Sequence, residues 1–114
     1  MNITVSGNVL IATLDKDVDH SSAGLIRSKL DAEIKRNPIS LLVFDMSNLE
    51  FMDSSGIGLI LGRYKLINSL GGKICVASPK NHIVKLINMS GLHKILSIYD
   101  SVDEAMSERG MYVG

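Results

Sequence analysis

Residues 41–77, LLVFDMSNLEFMDSSGIGLILGRYKLINSLGGKICVA, decide the fold. Leu41-Leu42-Val43-Phe44 is an unbroken apolar run of strand length, as expected of a strand covered on both faces. Asp45–Asp53 follows as a connection. Ile57, Ile60, Leu61, Tyr64, Ile67 and Leu70 then recur at helical spacing and predict a helix. Gly71-Gly72 ends it, because a left-handed residue costs glycine little. Lys73-Ile74-Cys75-Val76-Ala77 reads as a second buried strand, closed by Ser78-Pro79. Strand, helix and strand in succession form a crossover unit, which packs in the right-handed sense.

The flanks repeat the alternation. Upstream, Asn2–Val5 and Val9–Leu14 are short β-branched runs around Ser6-Gly7-Asn8, the composition of a hairpin turn. Asp15–Asp19 reads as a polar loop, and Ser21 or Ser22 as the cap of a helix over Ala23–Arg36. Leu25, Ile26, Leu30 and Ile34 give that helix one apolar stripe, and Asn37-Pro38 stops it. Downstream, Ile83, Val84, Leu86 and Ile87 predict a third helix ending at Gly91. Ile95–Tyr99 fits a last strand and Val102–Glu108 a terminal helix. The prediction is an α/β domain spanning residues 1–114. Its mixed, mostly parallel sheet has four to five strands with about four helices, and it opens with an antiparallel hairpin.

Composition narrows the function. The chain of 114 residues is 46% hydrophobic but only 4% aromatic, with no Trp, so Ile, Leu, Val and Met must fill the core. Twelve acids balance twelve bases, which argues against direct nucleic-acid binding, since phosphate contacts need a basic surplus. Cys75 is alone and reads as a small buried hydrophobe. His82 and His93 lack partners at metal spacing and read as surface or helix-end residues. No apolar run approaches a membrane span and no secretion signal is visible, so the expectation is a cytoplasmic protein with no membrane contact. The charges are segregated, however. Residues 54–99 carry six Lys/Arg and no acid, whereas Asp15, Asp17, Asp19, Asp45, Glu50 and Asp53 cluster near segment ends upstream. If those ends converge they form an acidic rim that draws a basic partner; otherwise they are a solvated loop surface.

Chemistry concentrates in Leu49–Gly58, between the central strand and its helix, the crevice region of α/β domains. Ser54 falls at or just before the first helical turn. Unpaired amides and the positive end of the helix dipole lie there, and they accept a phosphate without unfolding the helix. The plainer reading makes Ser54 only an N-cap. A hydrolase elbow is excluded, because Met52 stands where G-x-S-x-G needs glycine and no acid lies between Ser54 and His82 or His93. Gly56, Gly58 and Gly62 are spaced G-x-G-x-x-x-G, which is not the dinucleotide fingerprint, and no Gly-Lys-Ser/Thr phosphate loop is present. These glycines instead suit close approach to a strand or a partner. Arg63 and Lys65 read as a solvated face, with Arg63 able to steady the helix against a partner. Met52, Met89 and Met106 read as core gap-fillers.

Met52-Asp53-Ser54-Ser55-Gly56, continued by Gly58–Lys65, resembles the bacterial anti-sigma factor antagonists of the STAS domain family, and within it the sporulation-type anti-sigma F factor antagonists. Val18-Asp19-His20, Gly71-Gly72 and Asn88–Ile95 extend the resemblance over nearly the whole chain. The resemblance implies a non-enzymatic regulator of sporulation-type transcription. Its unphosphorylated form binds an anti-sigma factor that is also a serine kinase, which releases the sigma factor. Phosphorylation of Ser54 reverses binding and a serine phosphatase restores it. No cofactor belongs to this chain, since ATP and the divalent metal belong to the kinase. Asp19, His20, Met52, Asp53, Ser55, Gly56, Ile57 and Gly58 are the implied partner-binding residues. Ser21 stands where sporulation relatives often carry a second His. A phosphate at Ser54 buried unpaired in the interface would eject the partner locally, without a large conformational change. The alternatives are another STAS role (general stress antagonist or scaffold) and a nucleotide- or small-ligand-binding module built on the glycine-rich helix start.

Overall fold

The computed structural model describes the backbone of residues 1–113 and the side chains of residues 1–107; Glu108 and Arg109 in the tail lie outside the described side chains. Five strands form one sheet in the order β1 (Asn2–Ser6), β2 (Val9–Val18), β3 (Leu41–Met52), β4 (Lys73–Ala77) and β5 (Ser97–Tyr99). The β1–β2 pair is antiparallel and the other three pairs are parallel. Helices α1 (His20–Arg36), α2 (Ser54–Ser69) and α3 (Asn81–Ser90) make the crossovers, and α4 (Val102–Val113) follows β5. Because each parallel strand sits beside its predecessor, right-handed crossovers place the three connecting helices on one face.

The pleat divides the apolar residues accordingly. Leu10, Ala12 and Leu14 of β2, Leu42, Phe44 and Met46 of β3, and Ile74 and Val76 of β4 point to the face carrying Ile26, Leu30, Leu59, Ile60, Ile83 and Ile87 of the helices. The alternate residues Leu41, Val43, Cys75 and Ala77 meet Ala105 of α4 on the other face. This two-sided covering is why residues 41–44 are apolar without alternation. Cys75 is buried, as the sequence suggests. Among the described residues no helix is long and apolar enough to cross a membrane.

Three boundaries differ from the sequence reading. Asp45–Asp53 is no loose connection, since β3 continues to Met52, and Asp15–Val18 continues β2 beside it. The strands slip twice: Thr13 pairs with Asp45 but Asp15 with Asn48, and Lys16 pairs with Leu49 but Asp17 with Phe51. Each slip adds a residue to β3, a bulge that breaks the two-residue alternation and hides the strand in the sequence. Helix α1 begins at His20 with Asp19 as N-cap, ahead of the two serines. Leu25 and Leu70 fall on helical spacing yet are exposed, and so is Met89, at 85%. Gly91 closes α3 with φ of 84°, the left-handed geometry expected at a helix end.

Candidate functional site

Strands β2 and β3 end side by side, with Val18 opposite Met52, and each is followed at once by an N-cap aspartate and a helix. The Asp53 amide donates to the Val18 carbonyl at 3.2 Å, which locks the two turns together. Asp19 and Asp53 therefore stand one residue beyond paired positions on strands about 5 Å apart. Of the two acidic stretches, Asp19 and Asp53 meet at this edge, with exposed Asp17 beside them. Asp15 is drawn aside by the Met1 ammonium at 3.1 Å, and Glu50 by Lys80 at 3.8 Å.

Capping explains which oxygens are free. Asp53 Oδ1 accepts from the Ser55 amide at 2.8 Å, so the cap of α2 is Asp53. Ser54 is the first helical residue. It is exposed, and its hydroxyl has no hydrogen-bond partner among the described residues. The N-cap reading of Ser54 is thereby replaced. At the start of α1, Asp19 Oδ1 accepts from the Ser21 hydroxyl at 2.7 Å, the Ser21 amide at 3.0 Å and the Ser22 amide at 3.1 Å. The Ser22 hydroxyl accepts from the Asp19 amide at 3.0 Å and completes a capping box. These bonds, that from the Ser21 hydroxyl foremost, hold the Asp19 carboxyl below its ordinary value of 3.8.

The other sequence candidates divide by depth. His20 and Gly58 are exposed, and Ser55 and Ile57 are half-buried. Met52 and Gly56 are buried and face each other from strand to helix. A methyl at Gly56 would overlap Met52 Cγ and Sδ and lie 3.3 Å from Val18 Cγ1, so glycine lets α2 sit down on the strand ends. Gly56 fits the close-approach reading. Gly58 and Gly62 approach no strand, because beyond their own helix no described atom lies within 4 Å of where their β-carbons would be, which leaves approach to a partner as their reading. With Gly24 of α1, equally open, they line a groove of about 460 Å³ between α1 and α2.

Several residues of this edge escaped the sequence reading. Arg63 is no solvated residue, being only 9% exposed, with Nε 3.2 Å from Asp31 Oδ1 of α1. From the first turn of α3, His82 Nε2 lies 2.6 Å from the Glu50 carbonyl and the Lys80 ammonium donates to the carbonyls of Leu49 (3.0 Å) and Ser47 (3.4 Å). A carbonyl only accepts, so the His82 proton resides on Nε2. These two side chains cap carbonyls of β3 beyond Asp45, where β4 no longer pairs with it. Among the described residues no group of three or more His, Cys, Asp or Glu could hold a metal ion.

Comparison with known proteins agrees with this architecture. Residues 1–105 match the STAS domain family. An anti-sigma F factor antagonist of Paenibacillus polymyxa is 44% identical over 100 residues, which is 88% of this chain and 86% of that protein. The solved structure of unphosphorylated SpoIIAA, an anti-sigma factor antagonist, superposes with a TM-score of 0.85 at 27% identity, covering 96% of each chain. The phosphorylated form of the Bacillus cell fate determinant SpoIIAA gives 0.76 at 26% identity, over 94% of this chain and 96% of that one. The family match, the sheet order and the relatives agree: the chain belongs to the STAS domain family, among the anti-sigma factor antagonists.

Proposed function

We propose that this chain is a cytoplasmic, phosphorylation-controlled antagonist in sporulation-type transcription, acting by binding and not by catalysis. Unmodified, the edge formed by the starts of α1 and α2 docks on an anti-sigma factor that is also a serine kinase, and the sigma factor is released. The kinase, using its own ATP and divalent metal, esterifies Ser54. The complex then parts, and a serine phosphatase removes the phosphate. The observation that carries this reading is the unpartnered, exposed hydroxyl of Ser54, left free because Asp53 does the capping. The 44% identity to an anti-sigma F factor antagonist supports the same reading.

Electrostatics supplies the switch. Asp17, Asp19 and Asp53 give the edge a negative character that speeds encounter with a basic surface. Phosphate adds about 1.5–2 negative charges on the next residue. Buried in the interface without a cation, such a group costs several kcal/mol, and about 1.4 kcal/mol is already tenfold in affinity. Both SpoIIAA forms match this fold, in keeping with ejection at the surface rather than refolding.

Incubation with the anti-sigma kinase and ATP tests the proposal by mass spectrometry. One phosphate is expected on Ser54, and none on Ser54→Ala. Modification at Ser55, or none in the wild type, would refute the assignment. Ser54→Asp should fold normally and bind the kinase at least tenfold more weakly; undiminished binding would rule out ejection by charge.

A further inference from the structure

The groove between α1 and α2 is lined by His20, Gly24 and Arg27 from one helix and by Ser55, Gly58, Gly62 and Arg63 from the other. Three observations set it apart from ordinary interhelical space. Its glycines leave it open, since no described atom occupies the positions their β-carbons would take. Its charged lining is basic, without a carboxylate, and Arg27 has no ion-pair partner among the described residues. Above all, Arg63 is nine-tenths buried in it and incompletely used. Its Nε is close to Asp31 but misaligned for a hydrogen bond, and its buried Nη1 has no partner among the described residues.

A guanidinium presents its N–H groups in a planar fork that matches a carboxylate. Buried donors of this kind are ordinarily satisfied; here Asp31 Oδ1 beside Arg63 is left without a hydrogen bond as well, and the guanidinium keeps the capacity to bond a further acceptor. We infer that this groove receives an Asp or Glu side chain of the protein partner, its carboxylate reaching Arg63 and Arg27. The inference rests on the binding role proposed above and adds the chemistry of a second contact. The groove shares Ser55 with the switch turn and is continuous with it, so one partner can span both. The partner must then carry a cation opposite Asp19 and Asp53 and an anion about two to three helical turns farther along α1 and α2. That two-signed pattern fixes register and rejects partners of uniform charge.

Nitrogen-15 NMR of the free protein tests the groove directly, with acetyl-glutamate amide as probe, acetyl-glutamine amide as neutral control and inorganic phosphate as a rival anion. The glutamate probe should shift the amides of Gly58 and Gly62 and the Arg63 Nε–H in a saturable, millimolar titration, and the glutamine control should not. Stronger saturation by phosphate would overturn the carboxylate assignment, and no saturation by either anion would overturn the site. Gly62→Leu fills the groove without touching a charge or straining the helix, and Arg27→Glu reverses an exposed charge. Each should fold as the wild type does and bind the anti-sigma factor at least tenfold more weakly. If both variants bind fully while Ser54→Asp does not, the groove inference fails and the switch stands. If the wild type fails to bind any anti-sigma factor, the functional reading fails and takes this inference with it.

Discussion

Asp53 and Ser54 divide two tasks that a single serine often combines. Asp53 supplies the capping oxygen, so Ser54 keeps its hydroxyl in solvent beside unpaired first-turn amides. The same arrangement one strand over gives Asp19 both the Ser21 and Ser22 bonds. Those bonds favour the ionised carboxyl and place its folded value below 3.8. A depressed carboxyl stabilises the fold fully above its unfolded value. That contribution is lost only as acid takes the pH down through the folded value. Titration of the Asp19 carboxyl carbon by NMR should therefore give a midpoint below 3.8, moving upward in Ser21→Ala; a midpoint unmoved by that substitution would contradict the assigned cause. The same residues show what a sequence conceals. Ser21 and Ser22 look like caps because serine commonly is one. Asp19 competes successfully because β2 runs on to Val18 and delivers its carboxylate to the helix start.

Helix α2 carries three glycines with two different purposes. Gly56 lies under Met52, whereas Gly58 and Gly62 face open space. An alanine at Gly62 meets nothing and restricts the unfolded chain, so Gly62→Ala should raise stability by about 1 kcal/mol in urea unfolding. Gly91→Ala makes the opposite test. Its φ of 84° penalises any β-carbon, and a loss of about 1–2 kcal/mol is expected in the same assay. Equal effects at the two sites would mean that helix geometry does not decide between them. That natural stability is forgone at Gly62 agrees with a groove kept open for binding. Sequence spacing located this helix and most of its buried face but missed Arg63, which takes a position in the buried stripe and pairs with Asp31 of α1. Periodicity reads polarity, and a buried arginine has the wrong sign.

Across the whole molecule, the C-terminal ends of the parallel strands gather the starts of α1, α2 and α3 at one edge. There α3 reaches back, through Lys80 and His82, to the carbonyls of Ser47, Leu49 and Glu50 in the bulged end of β3. Lys80→Met should leave the Ser47 and Leu49 carbonyls to water and cost about 1 kcal/mol. Amide exchange in residues 47–52 should quicken while residues 41–46 keep their protection; unchanged exchange would show that the bulge needs no such brace. The sequence by itself determined the alternation of strands and helices, the opening hairpin and the strand-to-helix turn at Ser54. Apolar runs, helical spacing and turn residues are local signals, carried by residues close together in the chain. Only the tertiary structure decided that Asp19 adjoins Asp53, that Asp53 rather than Ser54 caps α2, and that Arg63 is buried in a groove. The first and the last depend on strand register and helix packing, which bring together residues some thirty positions apart, a distance no local pattern encodes. The Asp53 cap is a local bond to the Ser55 amide, set by β3 running on to Met52.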